Sequence, residues 1–483
     1  MTHWFWEFLF SLDILIRLGL SVRIIMRRRP VGVSLAWLTI VFMLPLAGAF
    51  VYLMFGELRL GRRHAAWAAQ VRRPVEQWLH GLRTRKTVDW TAQGLECEPL
   101  AKLTEASLGV PALPGNHLQL LPDTEGAFRA LLADIDAARR SCQMVFYIWY
   151  QGGVADEVGE ALLRAAARGV TCRVLVDAVG SRPFLRGPWV RKLREGGVQV
   201  VAALPAGLLR AAFVRYDLRM HRKIAVIDGE IAYTGSLNIV DPRYFKQKAG
   251  VGQWVDAMVR IRGPAVEGLL GTFLADWVLE SSEGIETLSH TSDFHPLAEC
   301  GPSVVQVAAS GPLDGNDAIL RSLLMAIYSA RRELILTTPY FVPDESLVAA
   351  LVSAAQRGVG VTLIVPGKVD SRLVRLASQA FQGDLLAAGV RVALFHGGLL
   401  HTKSITVDGK FSLFGSLNLD PRSLYLNFEI TLVVYDRGFT NDLRQLQQSY
   451  LAHCELMDQG QLQSRSRLQR LAENTARLAG PLL

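Results

Sequence analysis

The chain has 483 residues, half of them hydrophobic and a fifth charged, a composition that excludes an intrinsically disordered protein and leaves room for two or three domains with real cores. Membrane-length apolar stretches occur only within about the first 55 residues, which argues against a polytopic transporter. The net charge of +8 is uneven: residues 1–86 carry 13 Lys and Arg against 4 Asp and Glu, and the remaining 397 carry 39 against 40. An excess that flanks apolar segments suits anionic lipid head groups, whereas a nucleic-acid binder carries its excess on the folded body. No nucleic-acid partner is expected.

In chain order, Val31–Phe55 is a run of 25 residues without a charge, about 37 Å as a helix, and is predicted to span a bilayer with a kink at Pro45. Trp4–Met26 is interrupted by Glu7, Asp13, Arg17 and Arg23. Asp13 and Arg17 stand four apart, so a helix lets them pair and lowers the cost of burying them. A transmembrane hairpin over residues 1–55 is the preferred reading, with an interfacial first helix as the alternative. Ala47-Gly48-Ala49 resembles a cleavage site, but the apolar run is too long and too far from the start for a signal peptide. Arg clusters on both sides of Val31–Phe55 leave the orientation open.

A basic, mainly helical connector is predicted over residues 56–110. Beyond it the chain repeats itself. AARR at 137–140 leads into a strand-like run from Met144 to Tyr150, a helical stretch ending in RGV, and a strand from Cys172 to Val176. SARR at 329–332 leads into Leu334–Thr338, a helix ending in RGV, and a strand from Val361 to Val365. Short apolar runs alternating with amphipathic helices read as α/β layers. The expected domains are 111–300 and 301–483.

The chemistry lies in HRKIAVIDGEIAYTGSLN, beginning at His221, and HTKSITVDGKFSLFGSLN, beginning at His401. Each His is followed by Lys at +2, Asp at +7, Gly-Ser at +14 and +15, and Asn at +17. Residues i and i+2 of a strand share a face, so His221 lies beside Lys223 and His401 beside Lys403. Asp228-Gly229 and Asp408-Gly409 are hairpin-turn pairs. Return strands bring Ser236 and Asn238, or Ser416 and Asn418, beside the His and Lys. Two such patches would surround a phosphodiester with positive charge and hydrogen-bond donors. For Asp228 and Asp408 a structural role weighs at least as much as a chemical one. A fold alone does not require both His and Lys twice over.

The two H-x-K-x4-D-x6-G-S-x-N motifs resemble those of the phospholipase D superfamily. With the two apolar N-terminal segments, VDPRYFKQKAGVGQWVD at 240–256, LLHTKSITVDG and LNFEITL, the resemblance narrows to the bacterial cardiolipin synthase group. It implies an α/β fold of two tandem sandwich repeats packed face to face around a shared site, preceded by the membrane hairpin, in a multi-pass protein of the bacterial plasma membrane. It implies phosphatidyl transfer between two phosphatidylglycerol molecules, giving cardiolipin and glycerol. His221 is the expected nucleophile and His401 the acid/base, with Lys223, Lys403 and the catalytic-motif residues Asp228 and Asp408. Ser236, Asn238, Ser416 and Asn418 are expected to bind phosphate. Glu429 is expected to orient one imidazole and Asp256 the other. No metal or cofactor is expected. Hydrolysis by the same chemistry and a catalytically silent membrane scaffold are the alternatives.

Several features keep two readings. The segment 204–220, with Arg210, Arg215 and Arg219, and the tail 461–483 fit either a bilayer contact or ordinary amphipathic packing. His290, Asp293 and His295 read as a solvated loop sooner than a ligand set. The five cysteines lie far apart and imply neither a disulfide framework nor a Cys metal site.

Overall fold

The computed structural model describes residues 2–27, 31–44, 46–57, 77–84, 87–93, 96–205, 215, 217–281, 283–284, 293, 295–312, 317–458, 460 and 465–478. His290, Arg210, the remainder of 206–214, and 461–464 and 479–483 of the tail lie outside them. The chain forms two units, one of residues 1–70 with 206–218 and one of 71–205 with 219–483.

In the first unit, α1 (Thr2–Met26) is one 25-residue helix, and Arg17 pairs with Asp13 at 2.5 Å. The predicted 25-residue second span is not one helix. It is divided into α2 (Val31–Met43), α3 (Ala47–Val51) and a wide turn over Tyr52–Gly56. The interruption falls beside Pro45 in the sequence, a residue that lacks the amide proton and whose ring opposes continuous helix. Leu46 takes φ 53° and its amide donates to Asp13. Among the described residues no helix is long and apolar enough to cross a membrane. Ile24, Trp37, Val41 and Tyr52 form the core of this unit, and Glu57, fully buried, accepts from Arg23 and Tyr52.

The second unit is built on one mixed sheet. Its first half uses β1 (Leu113–Leu121), β2 (Ser141–Phe146), β3 (Thr171–Asp177), β4 (Gln199–Ala203), β5 (Ile224–Ile227), β6 (Ile231–Gly235) and β8 (Met258–Arg262). The second half uses β9 (Ser303–Ser310), β10 (Glu333–Thr337), β11 (Gly360–Pro366), β12 (Arg391–Phe395), β14 (Ser404–Val407), β15 (Phe411–Gly415), β16 (Glu429–Tyr435) and β17 (Cys454–Leu456). The order is β17-β12-β11-β10-β14-β15-β16-β9-β1-β8-β6-β5-β2-β3-β4. Read outward from the β9–β1 seam, the halves repeat strand for strand, apart from the added β17. The repeats are therefore joined edge to edge, not face to face as expected. Antiparallel β1 and β9 pair at Leu113–Val305 and Asn116–Ser303. Such pairing satisfies backbone groups that two separate sheets would leave on open edges.

Buried strands rich in Val, Ile and Leu and flanking helices such as Val154–Ala167 and Glu345–Gln356 form the two main cores. The helix Glu98–Leu108, predicted within the connector, belongs to the second core. Leu100 and Ala101 are buried there, and Thr104 is 2.9 Å from Ser322. Asp293 is buried beside Arg140, not solvated as predicted. The tail helix Arg467–Leu478 packs its Glu473 and Ala476 face inward, with Arg477 over Phe381, and exposes Leu468, Leu471 and Leu478.

Candidate active site

Two short parallel pairings bring the motifs together across the repeats. His221 N donates to Phe428 O at 2.9 Å and Phe428 N to Arg219 O at 2.9 Å. On the other side, β13 (Leu399–Leu400) pairs with β7 (Trp254–Val255), and His401 N donates to Val255 O at 2.8 Å. Gly398 makes this approach possible, because a Cβ there would lie 2.3 Å from Gln253 O. Each histidine thus runs beside the segment that delivers the other repeat's carboxylate.

The result is a crossed pair. His221 Nδ1 is 2.8 Å from Glu429 Oε2, and His401 Nδ1 is 2.6 Å from Asp256 Oδ1. Both imidazoles, both carboxylates and both lysines are buried. Burial raises the carboxylates, but His221 and the Lys223 charge outweigh it at Glu429, as His401 and Lys403 do at Asp256, and both fall below their usual range. Burial carries both histidines down to about 4 against the pull of their carboxylates. Neutral rings beside ionised carboxylates donate through Nδ1–H, which leaves Nε2 with its lone pair.

Lys223 Nζ donates to His221 O at 2.7 Å and Lys403 Nζ to His401 O. Burial lowers Lys223 to about 8 and holds Lys403 well below its ordinary value. The charge of Lys403 acts on His221 and that of Lys223 on His401, so the two motifs share one electrostatic field. Tyr147 lies against His221 with ring centroids 4.9 Å apart, and Trp254 against His401 at 4.3 Å.

The serines are placed differently from expectation. Ser236 Oγ donates to Asp256 Oδ1 at 2.6 Å and accepts from Ala257 N. Ser416 Oγ donates to Glu429 Oε2 at 2.5 Å and accepts from Ile430 N. Both hydroxyls are committed to the carboxylates that hold the rings, a correction to their assignment as phosphate binders. Asn238 Oδ1 accepts from Ile148 N at 3.1 Å, so its amide NH2 is the group left to donate. Asn418 is buried, and its Oδ1 has no hydrogen-bond partner among the described residues.

Asp228 and Asp408 are likewise corrected. Each stands beyond the far end of its strand, five residues or roughly 16 Å along β5 or β14 from the Lys. Asp228 accepts from the amides of Arg139, Arg140 and Ser141, and Asp408 from those of Arg331, Arg332 and Glu333. Both take φ 54° at the hairpin turn. The repeated Ala-Arg-Arg and the repeated Asp are therefore two sides of one structural contact. They do not touch the imidazoles.

Sequence reasoning missed Arg222, which lies between His221 and Lys223. Its guanidinium bonds both oxygens of Asp276 at 2.5 Å and reaches Glu429 O and Ser310 O in the second repeat. The corresponding Thr402 instead meets Val255 O and the Tyr450 hydroxyl. This asymmetry was visible in the sequence as Arg against Thr, but its long reach was not.

A doubled sheet carrying two His–Lys motifs with crossed carboxylates defines a phosphodiester-processing site of the phospholipase D type. The family model described as "Cardiolipin synthase, PLD-like domain" matches residues 131–264 and 323–450, and "Phospholipase_D-nuclease N-terminal" matches 17–57. The chain is 47% identical over 478 residues to cardiolipin synthase A of Erwinia tasmaniensis, covering 99% of this chain and 98% of that one. It is 46% identical over 465 residues to cardiolipin synthase A of Escherichia fergusonii, covering 96% of each. The chain belongs to the bacterial cardiolipin synthase family of the phospholipase D superfamily. Its fold is similar to the crystal structure of phosphatidylserine synthase from Haemophilus influenzae, with a TM-score of 0.59 at 14% identity, over 80% of this chain and all of that one.

Proposed function

We propose that the protein is a membrane-bound cardiolipin synthase, moving a phosphatidyl group from one phosphatidylglycerol to another and releasing glycerol. The crossed His–carboxylate pairs beside two buried lysines are the observation that carries this reading. His221 Nε2 attacks phosphorus, the bond from phosphorus to the glycerol oxygen breaks, and that oxygen takes a proton from His401. The hydroxyl of a second phosphatidylglycerol then gives its proton to His401 as its oxygen bonds phosphorus, and the P–N bond to His221 breaks.

The cycle needs one proton shared between two rings that burial keeps neutral. The phosphodiester supplies the compensating charge, since its anion beside the imidazoles favours protonation of one of them. Lys223, Lys403 and the amide of Asn238 are suited to the non-bridging oxygens as charge shifts in the transition state. These residues require no metal or cofactor. The described part of the first unit supports a lipid bilayer as partner: Trp4, Phe5, Trp6, Phe8, Leu15, Leu18, Val22 and Ile25 of α1 are exposed. The exposed leucines of the tail helix, interleaved with Arg467 and Arg470, suit a lipid surface as well.

Incubating the detergent-purified full chain with phosphatidylglycerol and EDTA tests the proposal. Equal yields of cardiolipin and glycerol are expected. Phosphatidic acid as the main product would make the enzyme a hydrolase, and loss of activity to the chelator would contradict the metal-free chemistry.

A further inference from the structure

Beside His401 lies a polar group that the chemistry at phosphorus leaves unused. Lys246 Nζ is 2.9 Å from Asp370 Oδ2, and the Tyr340 hydroxyl donates to Asp370 Oδ1 at 2.9 Å. The Lys246 ammonium sits 5.5 Å from the Trp254 ring centroid, and Trp254 in turn lies against His401. Lys246 comes from the first repeat, and Asp370 and Tyr340 from the second. The Asp370 side chain is 11% exposed and that of Lys246 45%, so the group runs from the wall of the site outward.

Further observations mark this as a built feature. Lys246 holds φ 51°, a left-handed conformation that a side chain other than Gly or Asn rarely adopts, and such strain concentrates at functional positions. The Trp254 indole N–H, on a residue 5% exposed, has no hydrogen-bond partner among the described residues. The His221 side differs: its aromatic neighbour Tyr147 lies by Lys223 and near Asp177, but that carboxylate is taken up by the backbone amides of Val179, Gly180 and Met220.

We propose that Lys246, Asp370 and Tyr340, against the face of Trp254, form the glycerol head-group site, which serves both the departing glycerol and the acceptor phosphatidylglycerol. This rests on the transfer reading above. A glycerol head group is uncharged and carries neighbouring hydroxyls. The carboxylate accepts from them, the ammonium donates to them, the phenol oxygen, its own proton held by Asp370, accepts from them, and the indole face covers the carbon chain. Burial would raise Asp370, but Lys246 and then Tyr340 bring it below the usual carboxylate range, so it is an acceptor at neutral pH. Asp370 is linked to the His401 side through Lys246 and the Trp254 ring that lies against the imidazole, so a head group held there is on the side of the ring that takes the hydroxyl proton. Water has no second hydroxyl with which to bridge this group. A site built around hydroxyl hydrogen bonds therefore favours glycerol, and transfer, over hydrolysis. Because leaving group and acceptor carry the same head group, one subsite serves both half-reactions.

The test runs the transfer backwards. The full chain in mixed micelles receives cardiolipin as phosphatidyl donor and increasing isotopically labelled glycerol. Each turnover releases one unlabelled phosphatidylglycerol, so labelled phosphatidylglycerol, which counts transfer, and phosphatidic acid, which counts hydrolysis, are the two products quantified. The ratio of the two products is read within each enzyme, so it is insensitive to how much of a variant is folded. For the wild type, glycerol shifts the ratio toward labelled phosphatidylglycerol. Asp370→Asn is expected to raise the glycerol concentration that gives equal products by about tenfold or more, and Tyr340→Phe to raise it less. An unchanged ratio in both variants, with total turnover lowered, would make the group a structural ion pair and overturn the proposal. A wild type that yields phosphatidic acid but no labelled phosphatidylglycerol at every glycerol concentration would instead overturn the transfer reading itself.

Discussion

His221 is hydrogen-bonded through Nδ1 to Glu429, 208 residues further along the chain, while His401 is bonded to Asp256 of the first repeat. Neither repeat contains a complete histidine–carboxylate unit, so neither half-site is preorganised without the other.

Glu429→Gln and Asp256→Asn test that dependence. An amide keeps the size of the carboxylate but can present NH2 to Nδ1, which favours the wrong tautomer and leaves the imidazolium unsupported. Each substitution is expected to lower kcat about 10^3-fold or more, by analogy with the buried Asp of serine-protease triads. Steady-state kinetics with phosphatidylglycerol decide it. A loss under tenfold in either variant would show that the carboxylate is not what orients the ring.

The serines are expected to act on kcat through those carboxylates. Ser416→Ala and Ser236→Ala each remove one hydrogen bond to a charged group, worth about 1.5–3 kcal/mol, or about tenfold and more in rate. KM should stay near the wild-type value. A rise in KM with kcat unchanged would restore the phosphate-binding role that the sequence suggested.

Asp228 and Asp408 are expected to affect stability in place of chemistry. Removing a carboxylate that accepts three backbone amides costs about 2–3 kcal/mol. Asp228→Ala should therefore lower the thermal midpoint in detergent. Asp228→Asn should do so less, since Asn tolerates the left-handed turn and keeps an acceptor. The folded fraction of either should keep kcat within a few-fold. A normal melting curve with abolished turnover would return these residues to the catalytic set.

Histidines held at about 4 displace the acid limb of activity. In kcat/KM, the acid limb of the free enzyme should fall near pH 4, not near the ordinary histidine value of about 6.5. Because the cycle also needs a proton on His401, kcat/KM should decline already above about 4, and more steeply beyond about 8 as Lys223 loses its proton. Stability follows with a definite sign. Between about pH 6.5 and 4 the unfolded chain binds histidine protons that the folded chain refuses, so stability declines as pH falls through that window. Glu429 and Asp256 add to the loss at lower pH, because their depressed values stabilise the fold only while they are ionised. A kcat/KM profile with its acid limb at 6.5 would contradict the burial of the rings.

The motifs were legible because their chemistry is local: His and Lys at i and i+2 on one strand, and Asp-Gly at a turn, are fixed by short-range geometry. Short apolar runs set between amphipathic helices likewise revealed the α/β repeats, as at Val361–Val365 within the observed β11. The carboxylates were reachable only by resemblance. Asp256 and Glu429 stand at different distances from their motifs, and each acts on the opposite repeat. The edge-to-edge seam rests on two residue pairings between β1 and β9, and nothing in the composition of those strands distinguishes a shared edge from a free one. Asp370 looked like any loop acid. Only the fold sets it beside Lys246, 124 residues away.

The most direct test of the central claim uses a phosphatidyl ester of p-nitrophenol, a leaving group that departs without a proton, in a single turnover. His401→Ala should release p-nitrophenolate in a stoichiometric burst and retain the phosphatidyl group on the peptide carrying His221, seen by mass spectrometry, while His221→Ala should release none. A burst from His221→Ala with the phosphatidyl group on His401 would contradict the assignment of nucleophile and acid/base.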